Sequence, residues 1–263
     1  MYDFAYHRPS RLNEAVTLLA RSDHKLLGGG MSLIPSLKLR LNRYAGLVDL
    51  GAVQEIVGVR REGNALVIGA MTPHAVVAAS AEVLGCVPAL AGLAEGIGDP
   101  LVRNRGTLGG SIANADPAAD YPAALVALGA TIVTHQREIP AADFFKDVFE
   151  TALHADEIIT AVRFPIPDKA GYAKLRQAAS RFALVGVFVA QSTDSVRVAV
   201  TGAGPSVFRL PEAEAALAKN FAPAALDGIA ISPDGLNADI HASAAYRAHA
   251  TIEMARRAVS AAR

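Results

Sequence analysis

Two glycine-rich segments constrain the fold of this chain more than any other feature of its sequence. The first is Gly28-Gly29-Gly30-Met31-Ser32, and the second runs from Gly98 to Ser111 and includes Thr107-Leu108-Gly109-Gly110. Each glycine costs roughly 1 kcal/mol relative to alanine in regular structure, so three in a row end the strand predicted at residues 25–27. Without a Cβ, both segments let backbone N–H groups approach a ligand closely. They are predicted to bind one diphosphate-bearing cofactor together.

The residues around the second segment refine this prediction. The hydroxyls of Thr107 and Ser111 suit a diphosphate, and Arg103 and Arg105 either add positive charge, tie down the loop or face a partner. A carboxylate would repel a diphosphate. Asp120 is therefore expected to accept hydrogen bonds from sugar or polyol hydroxyls, with a capping or ion-pair role as the alternative. Asp116 is expected to cap a helix that begins at Pro117.

The composition excludes several classes of function. Among 263 residues, 25 basic and 25 acidic side chains balance, which argues against a nucleic-acid-binding surface. No apolar stretch is long enough to span a bilayer and no secretory signal opens the chain, so a cytoplasmic location is expected. Cys86 is the only cysteine, so the chain cannot itself ligate an ordinary iron–sulfur cluster. The histidines lack metal-ligand spacing, and hydrolase and nucleoside-triphosphatase motifs are absent.

The hydrophobic pattern predicts a mixture of helices and strands without a repeated βαβ unit. Ser10 is expected to cap the first helix, Thr72-Pro73 to start another, and a hairpin to turn at Arg61 to Asn64. Helices are predicted at 11–20, 75–79, 88–96, 118–128, 184–190 and 242–262, and strands at 25–27, 45–50, 130–135, 157–164, 172–177 and 196–200. Pro165 to Asp168 predicts a domain boundary. Thr201 to Pro205 is interpreted as a structural turn, because Pro205 lacks the donor that a dinucleotide loop needs there.

Three stretches of this sequence resemble a known family. Lys25 to Pro35, Val102 to Ser111 and Ala115 to Asp120 are similar to the medium, FAD-binding subunit of the molybdenum hydroxylases, which include xanthine dehydrogenase and carbon monoxide dehydrogenase. The resemblance covers essentially the whole chain. It implies an α+β fold with two FAD-binding subdomains, residues 1–55 and 56–168, and a C-terminal α+β domain, residues 170–263.

The resemblance also implies which residues hold a non-covalently bound FAD. They are Leu27, Gly28, Gly29, Gly30, Met31, Ser32, Thr107, Leu108, Gly109, Gly110, Ser111, Asn114, Asp120, Ile159 and Lys174. An ordinary surface lysine is the alternative for Lys174. The family often has glutamine or histidine where this chain has Met31, so one side-chain hydrogen bond is missing here. No side chain of this chain is expected to be catalytic or to bind a metal, because the flavin ring carries out the redox chemistry.

The partners are likewise implied by the resemblance. A large molybdenum-pterin subunit oxidises the substrate, a small subunit with two [2Fe–2S] clusters relays electrons, and FAD on this chain passes them to an external acceptor. The expected assembly is a dimer of heterotrimers, with neither nucleic acid nor a membrane span. Two alternatives remain at this point, namely a stand-alone flavin oxidase or dehydrogenase of the same fold and a scaffold subunit without flavin.

Overall fold

The N-terminal part of the chain forms a small parallel sheet. The computed structural model describes all residues from 1 to 263. The strands are β1 (Ala5–His7), β2 (His24–Leu27) and β3 (Gly46–Asp49), and the helices between them are α1 (Leu12–Leu19) and α2 (Leu33–Lys38). The strand order is β1-β3-β2, with both pairings parallel. Two single 3-10 turns, Leu50–Ala52 and Gln54–Ile56, lead out of this layer.

The middle of the chain forms a five-stranded antiparallel sheet covered by helices. Its strands, in the order β4-β5-β10-β6-β7, are β4 (Val59–Glu62), β5 (Ala65–Gly69), β6 (Thr131–Thr134), β7 (Glu138–Pro140) and β10 (Ile159–Pro165). A separate hairpin is made by β8 (Phe145–Asp147) and β9 (Glu150–Thr151). The helices are α3 (His74–Ala79), α4 (Ala81–Cys86), α5 (Pro88–Glu95), α6 (Pro100–Arg105), α7 (Leu108–Asn114), α8 (Tyr121–Leu128) and α9 (Ala141–Phe144). Helix α8 is buried along its whole length, which makes it the centre of the largest hydrophobic core.

The C-terminal part forms a four-stranded antiparallel sheet in the order β11-β12-β13-β14. Its elements are β11 (Lys169–Arg176), β12 (Ala183–Ser192), β13 (Ser195–Thr201), β14 (Phe208–Arg209), α10 (Pro211–Lys219) and α11 (Ala244–Ala261). One face packs against α10 and α11 to form a second core. The other face meets the middle layer, where Phe188 and Ala199 join the largest core. Lys174 on β11 is thereby brought against the middle layer.

Most of the predicted elements are present, and the α+β class is confirmed. Two predictions about architecture are wrong. The stretch 184–190 belongs to strand β12, because Val185, Val187 and Val189 alternate toward the second core with period two. The N-terminal layer is a parallel βαβαβ arrangement, which the sequence conceals because β1 has only three residues.

Three predicted caps are also wrong in detail. Ser10 does not cap α1, since its backbone N–H donates to Glu14 while Arg11 holds the N-cap position. The Thr72 hydroxyl donates to the carbonyl of Gly58 instead of capping α3. Asp116 accepts from the backbone of Ala118, but helix α8 begins only at Tyr121. In each case tertiary contacts decided the role of a side chain that local sequence rules had placed at a helix start.

Candidate functional site

The first glycine-rich segment lies at the carboxyl edge of the parallel sheet. Strand β2 ends at Leu27, and Gly28 to Ser32 lead from it into α2. None of the five backbone N–H groups from Gly28 to Ser32 has an acceptor within the protein. Gly30 has φ +78°, a left-handed conformation that favours glycine. The carboxyl edge of parallel strands is where α/β sheets bind ligands, and five free donors there suit an anion.

The second glycine-rich segment is not the open loop that its sequence suggests. Its residues form two short helices, α6 and α7, joined at Gly106 and Thr107. Asp99 and Thr107 cap the two helices by accepting from Val102 and Gly110 respectively. Gly109 donates its N–H to the carbonyl of Ala70 at 2.7 Å. Two backbone donors of this segment, those of Leu108 and Gly109, therefore bind the carbonyls of Thr72 and Ala70 and tie the segment to the preceding part of the fold.

The structure brings the two segments into contact. A Cβ placed on Gly28 would lie 3.3 Å from the hydroxyl oxygen of Thr107 and 3.8 Å from the Cα of Gly110. One placed on Gly29 would lie 1.9 Å from the carbonyl oxygen of Arg105. Only glycine permits so close a backbone approach at position 29. Free donors of the first segment thus lie beside the exposed Gly110 and the half-buried Ser111 of the second.

Asp120 makes the ion pair that was the alternative role expected for it, within a buried cluster whose other members the sequence did not indicate. Its Oδ1 lies 2.8 Å from the ammonium of Lys174 and accepts a 2.5 Å hydrogen bond from the hydroxyl of Tyr172. Lys174 also donates to the carbonyl of Gly96 at 2.9 Å. Burial raises the pKa of Asp120 above its usual range, while the ammonium and the hydroxyl offset part of that rise. The side chain of Lys174 is only 4% exposed, so the surface-lysine alternative is wrong.

A buried histidine connects this cluster to the second segment. His74 donates its backbone N–H to Gly106, and its ring lies 5.4 Å from the ring of Tyr121, the neighbour of Asp120. Burial, with a smaller contribution from the charge of Arg103, lowers the pKa of His74 to about 4. His74 is therefore neutral at physiological pH. Its Nδ1 and the hydroxyl of Tyr121 have no hydrogen-bond partner.

The remaining predicted residues take different positions around these segments. Asn114 ends α7 and is half-buried, and Ala115 after it has φ +47°. Ile159 begins strand β10 and is buried. Arg103 donates to the carbonyls of Ile97 and Gly98, which matches the loop-tying role among the alternatives for it. The Gly202 turn donates to Pro117 instead of joining either glycine-rich segment.

A cavity of about 400 Å³ lies beside the Asp120 cluster, between α5, β11 and the C-terminal residue Arg263. Tyr172 and Lys174 line it, but no residue of the two glycine-rich segments does. The structure contains no group of three or more His, Cys, Asp or Glu side chains arranged to hold a metal ion. None of its helices combines the length and the apolar character needed to cross a membrane.

Comparison with known proteins gives consistent matches over most or all of the chain. Residues 2–167 match the family described as FAD binding domain in molybdopterin dehydrogenase. The carbon monoxide dehydrogenase medium chain of Hydrogenophaga pseudoflava is 35% identical, over 98% of this chain and 96% of that one. The nicotine 6-hydroxylase medium subunit of Paenarthrobacter nicotinovorans is also 35% identical, over 97% and 95%. Reconstituted CO dehydrogenase from Oligotropha carboxidovorans superposes with a TM-score of 0.91 at 32% identity, over 99% and 97%.

Proposed function

The chain belongs to the FAD-binding medium subunits of the molybdenum hydroxylases, and from this premise we propose that it is the electron-output subunit of such an enzyme. It is an oxidoreductase subunit, and its cofactor is FAD. In the proposal, electrons from the [2Fe–2S] clusters of a small subunit leave through FAD on this chain to an external acceptor. A large molybdenum-pterin subunit oxidises the substrate, in a dimer of heterotrimers located in the cytoplasm.

One observation carries the proposal, namely the five free N–H groups from Gly28 to Ser32 beside Gly110. Backbone N–H groups bind a diphosphate without adding a side chain that must be desolvated. Thr107 and Ser111 are proposed to contact the same part of FAD, with Leu27, Leu108 and Gly109 shaping the walls. When bound, FAD supplies the redox chemistry, and the protein supplies binding and orientation.

Asp120, Asn114, Ile159 and Lys174 are proposed to position the rest of the cofactor. Tyr172 and Lys174 both contact Oδ1 of Asp120 and fix the orientation of its carboxylate, so Oδ2 is the atom proposed to accept a hydrogen bond from a cofactor hydroxyl. Ile159 contributes an apolar surface. Residues 1–55 and 56–168 are proposed as the two FAD-binding subdomains, each with its own sheet, and residues 170–263 as the third domain.

A stand-alone flavin oxidase or dehydrogenase is supported less well by the site. Such an enzyme needs a general base within reach of its substrate. In the cluster beside the proposed site, the carboxylate of Asp120 is already engaged by Lys174 and Tyr172. His74 is buried under Gly106. Neither group is free to take a proton from a substrate.

The test is to purify the assembly from its source through a C-terminal tag on this chain. We expect FAD, iron and molybdenum to elute in one fraction, and the reduced assembly to pass electrons to an acceptor only while FAD is bound. Removal of FAD should leave the iron–sulfur clusters reducible but abolish turnover of the acceptor. Turnover of an organic substrate by the isolated chain would favour the stand-alone enzyme, and a chain that takes up no FAD would overturn the proposal.

A further inference from the structure

The end of strand β13 is bonded to the loop 116–120, which leads into α8 and carries Asp120. The hydroxyl of Thr201, the last residue of β13, donates to the carbonyl of Ala119 at 2.6 Å and lies 3.0 Å from the carbonyl oxygen of Pro117. Thr201 and Ala119 are both buried, and a buried carbonyl that loses its donor is costly. Thr201 therefore fixes this end of the loop.

Two further bonds from the C-terminal part of the chain fix the same loop. Gly202, directly after β13, donates its N–H to the carbonyl of Pro117 at 2.8 Å. Ala183 on β12 donates its N–H to the carbonyl of Ala118 at 3.3 Å. The three successive carbonyls of residues 117–119 thus all accept from β12, β13 or the turn after β13. The C-terminal sheet therefore sets the path of the backbone that enters α8.

The turn that follows β13 is itself held in one conformation. Gly202 has φ +81°, a left-handed conformation that favours glycine. The buried guanidinium of Arg247 donates to the carbonyl of Gly202 at 3.1 Å, and the amide of Asn237 donates to the carbonyl of Gly204 at 2.7 Å. A ligand site is precise only when the residues behind it are locked by packing and hydrogen bonds. This turn provides such a support.

These contacts fix Asp120 at its backbone, while β11 fixes its side chain. A peptide unit is planar, so the bond from Thr201 to the carbonyl of Ala119 also orients the N–H and the Cα of Asp120. At the other end of the residue, Tyr172 and Lys174 contact Oδ1. Oδ2 has no hydrogen-bond partner within the protein. Three side chains of the C-terminal sheet therefore determine where Oδ2 lies.

We propose that Thr201 is a positioning residue of the FAD site. It acts through the peptide unit between Ala119 and Asp120 and places Oδ2 where a hydroxyl of the cofactor donates to it. This inference rests on the proposed function, which assigns that contact to Asp120. The strength of a hydrogen bond falls steeply with distance and angle. A small rotation of this peptide unit is therefore enough to weaken the contact with FAD.

The test is to titrate the full chain with FAD after its cofactor has been removed. Thr201→Val removes the hydroxyl and keeps the shape of the side chain, whereas Thr201→Ser keeps the hydroxyl. Thr251→Val is the matched control, because Thr251 is equally buried and its hydroxyl also donates to a carbonyl, that of Arg247 within α11. Urea denaturation of each FAD-free variant measures its stability separately. If Thr201→Val does not fold, Thr201→Cys takes its place beside Thr201→Ser, since a thiol is a weak donor.

We expect Thr201→Val to lower the affinity for FAD about tenfold, while Thr201→Ser and Thr251→Val stay within about twofold of the wild type. Unchanged affinity in Thr201→Val, or in Thr201→Cys where it is used instead, would overturn the proposal. An equal loss in Thr201→Ser would also overturn it, since the hydroxyl would then not be the group that matters.

A cycle of double variants with Asp120→Asn separates positioning from general support of the fold. The amide keeps Oδ1 for Tyr172 and Lys174 but puts a donor in place of Oδ2, so we expect the affinity for FAD to fall about tenfold. Adding Thr201→Val should then lower the affinity by less than about twofold more, because no acceptor is left to position. A further tenfold loss would overturn the proposal and leave the proposed function intact.

Two other results of the same titrations would reach further. Wild-type affinity in Asp120→Asn would remove Asp120 from the site and overturn the role of Thr201 with it, while the glycine-rich segments could still bind FAD. A wild-type chain that takes up no FAD would overturn the proposed function itself.

Discussion

In the first glycine-rich segment, five successive backbone N–H groups have no acceptor in the protein, whereas the four from Leu108 to Ser111 in the second segment all have one. The glycines of the first segment keep side chains away from free donors. Those of the second allow close packing, since a Cβ on Gly109 would lie 2.7 Å from that of Ala70. Similar compositions thus leave free backbone donors in the first segment, which we propose bind FAD, and backbone hydrogen bonds that support the fold in the second.

The largest effect is expected for Gly29→Ala, at the point where the two segments touch. The new Cβ would lie 1.9 Å from the carbonyl oxygen of Arg105, and neither backbone can move without separating the segments. We expect the affinity for FAD to fall by about 1,000-fold, which corresponds to about 4 kcal/mol. Flavin content after purification and titration of the FAD-free protein with FAD both measure it.

The matched control is Gly85→Ala in helix α4, where a Cβ meets nothing within 4 Å. It should leave FAD binding unchanged and raise the free energy of unfolding by up to about 1 kcal/mol, since alanine is the better helix former. Wild-type FAD affinity in Gly29→Ala would show that the first segment is not the part of the chain that binds the cofactor.

The sequence predicted that the two glycine-rich segments act together, but it did not predict that the second segment forms two helices whose N–H groups bind within the protein. Glycines and hydroxyls indicated a shared site, because residue types that permit close approach are visible in the sequence. Two of the acceptors of the second segment, the carbonyls of Ala70 and Thr72, lie far from it along the chain. The same limit hid the pairing of Asp120 with Lys174. Burial and partners set by tertiary packing have no signal in local sequence.

The second prediction uses pH to separate support of the fold from binding. The folded pKa of His74 is lowered to about 4 from an ordinary value of 6.5, so the unfolded chain binds more protons between these values. The free energy of unfolding therefore carries no penalty from His74 above pH 6.5, and it decreases as the pH falls toward 4. We expect the unfolding free energy of the FAD-free protein to fall by about 3 kcal/mol from this source, measured by urea denaturation across that range.

The control for this prediction is His74→Phe, which keeps an aromatic ring against Tyr121 without a titrating group. It should flatten the dependence on pH between 6.5 and 4. An equally steep dependence in the variant would assign the acid sensitivity to other groups. The free backbone N–H groups of the first segment do not titrate, so we expect them to add no dependence of the unfolding free energy on pH.

The third prediction is that Gly109→Ala destabilises the fold more than it impairs the ligand contacts. The new methyl group would meet the Cβ and carbonyl oxygen of Ala70 at 2.7 and 2.8 Å, and overpacking a buried site costs about 2 kcal/mol. Denaturation of the FAD-free protein measures this cost. Gly92→Ala, in a helix with open space around the new Cβ, is the control. An unchanged stability with weakened FAD binding would mean that Gly109 serves the ligand and not the packing against Ala70.

The smallest expected effect comes from Met31→Gln in the first segment. Met31 is 39% exposed, and its side chain makes no hydrogen bond, so the backbone alone provides donors there. An amide at this position adds one donor beside the diphosphate, which contributes about 1 kcal/mol or less after water is displaced. We expect FAD affinity to rise about threefold to fivefold, while Met31→Leu leaves it unchanged. If glutamine has the same affinity as leucine, FAD does not reach the side chain at position 31, and the backbone N–H groups are the whole of the contact.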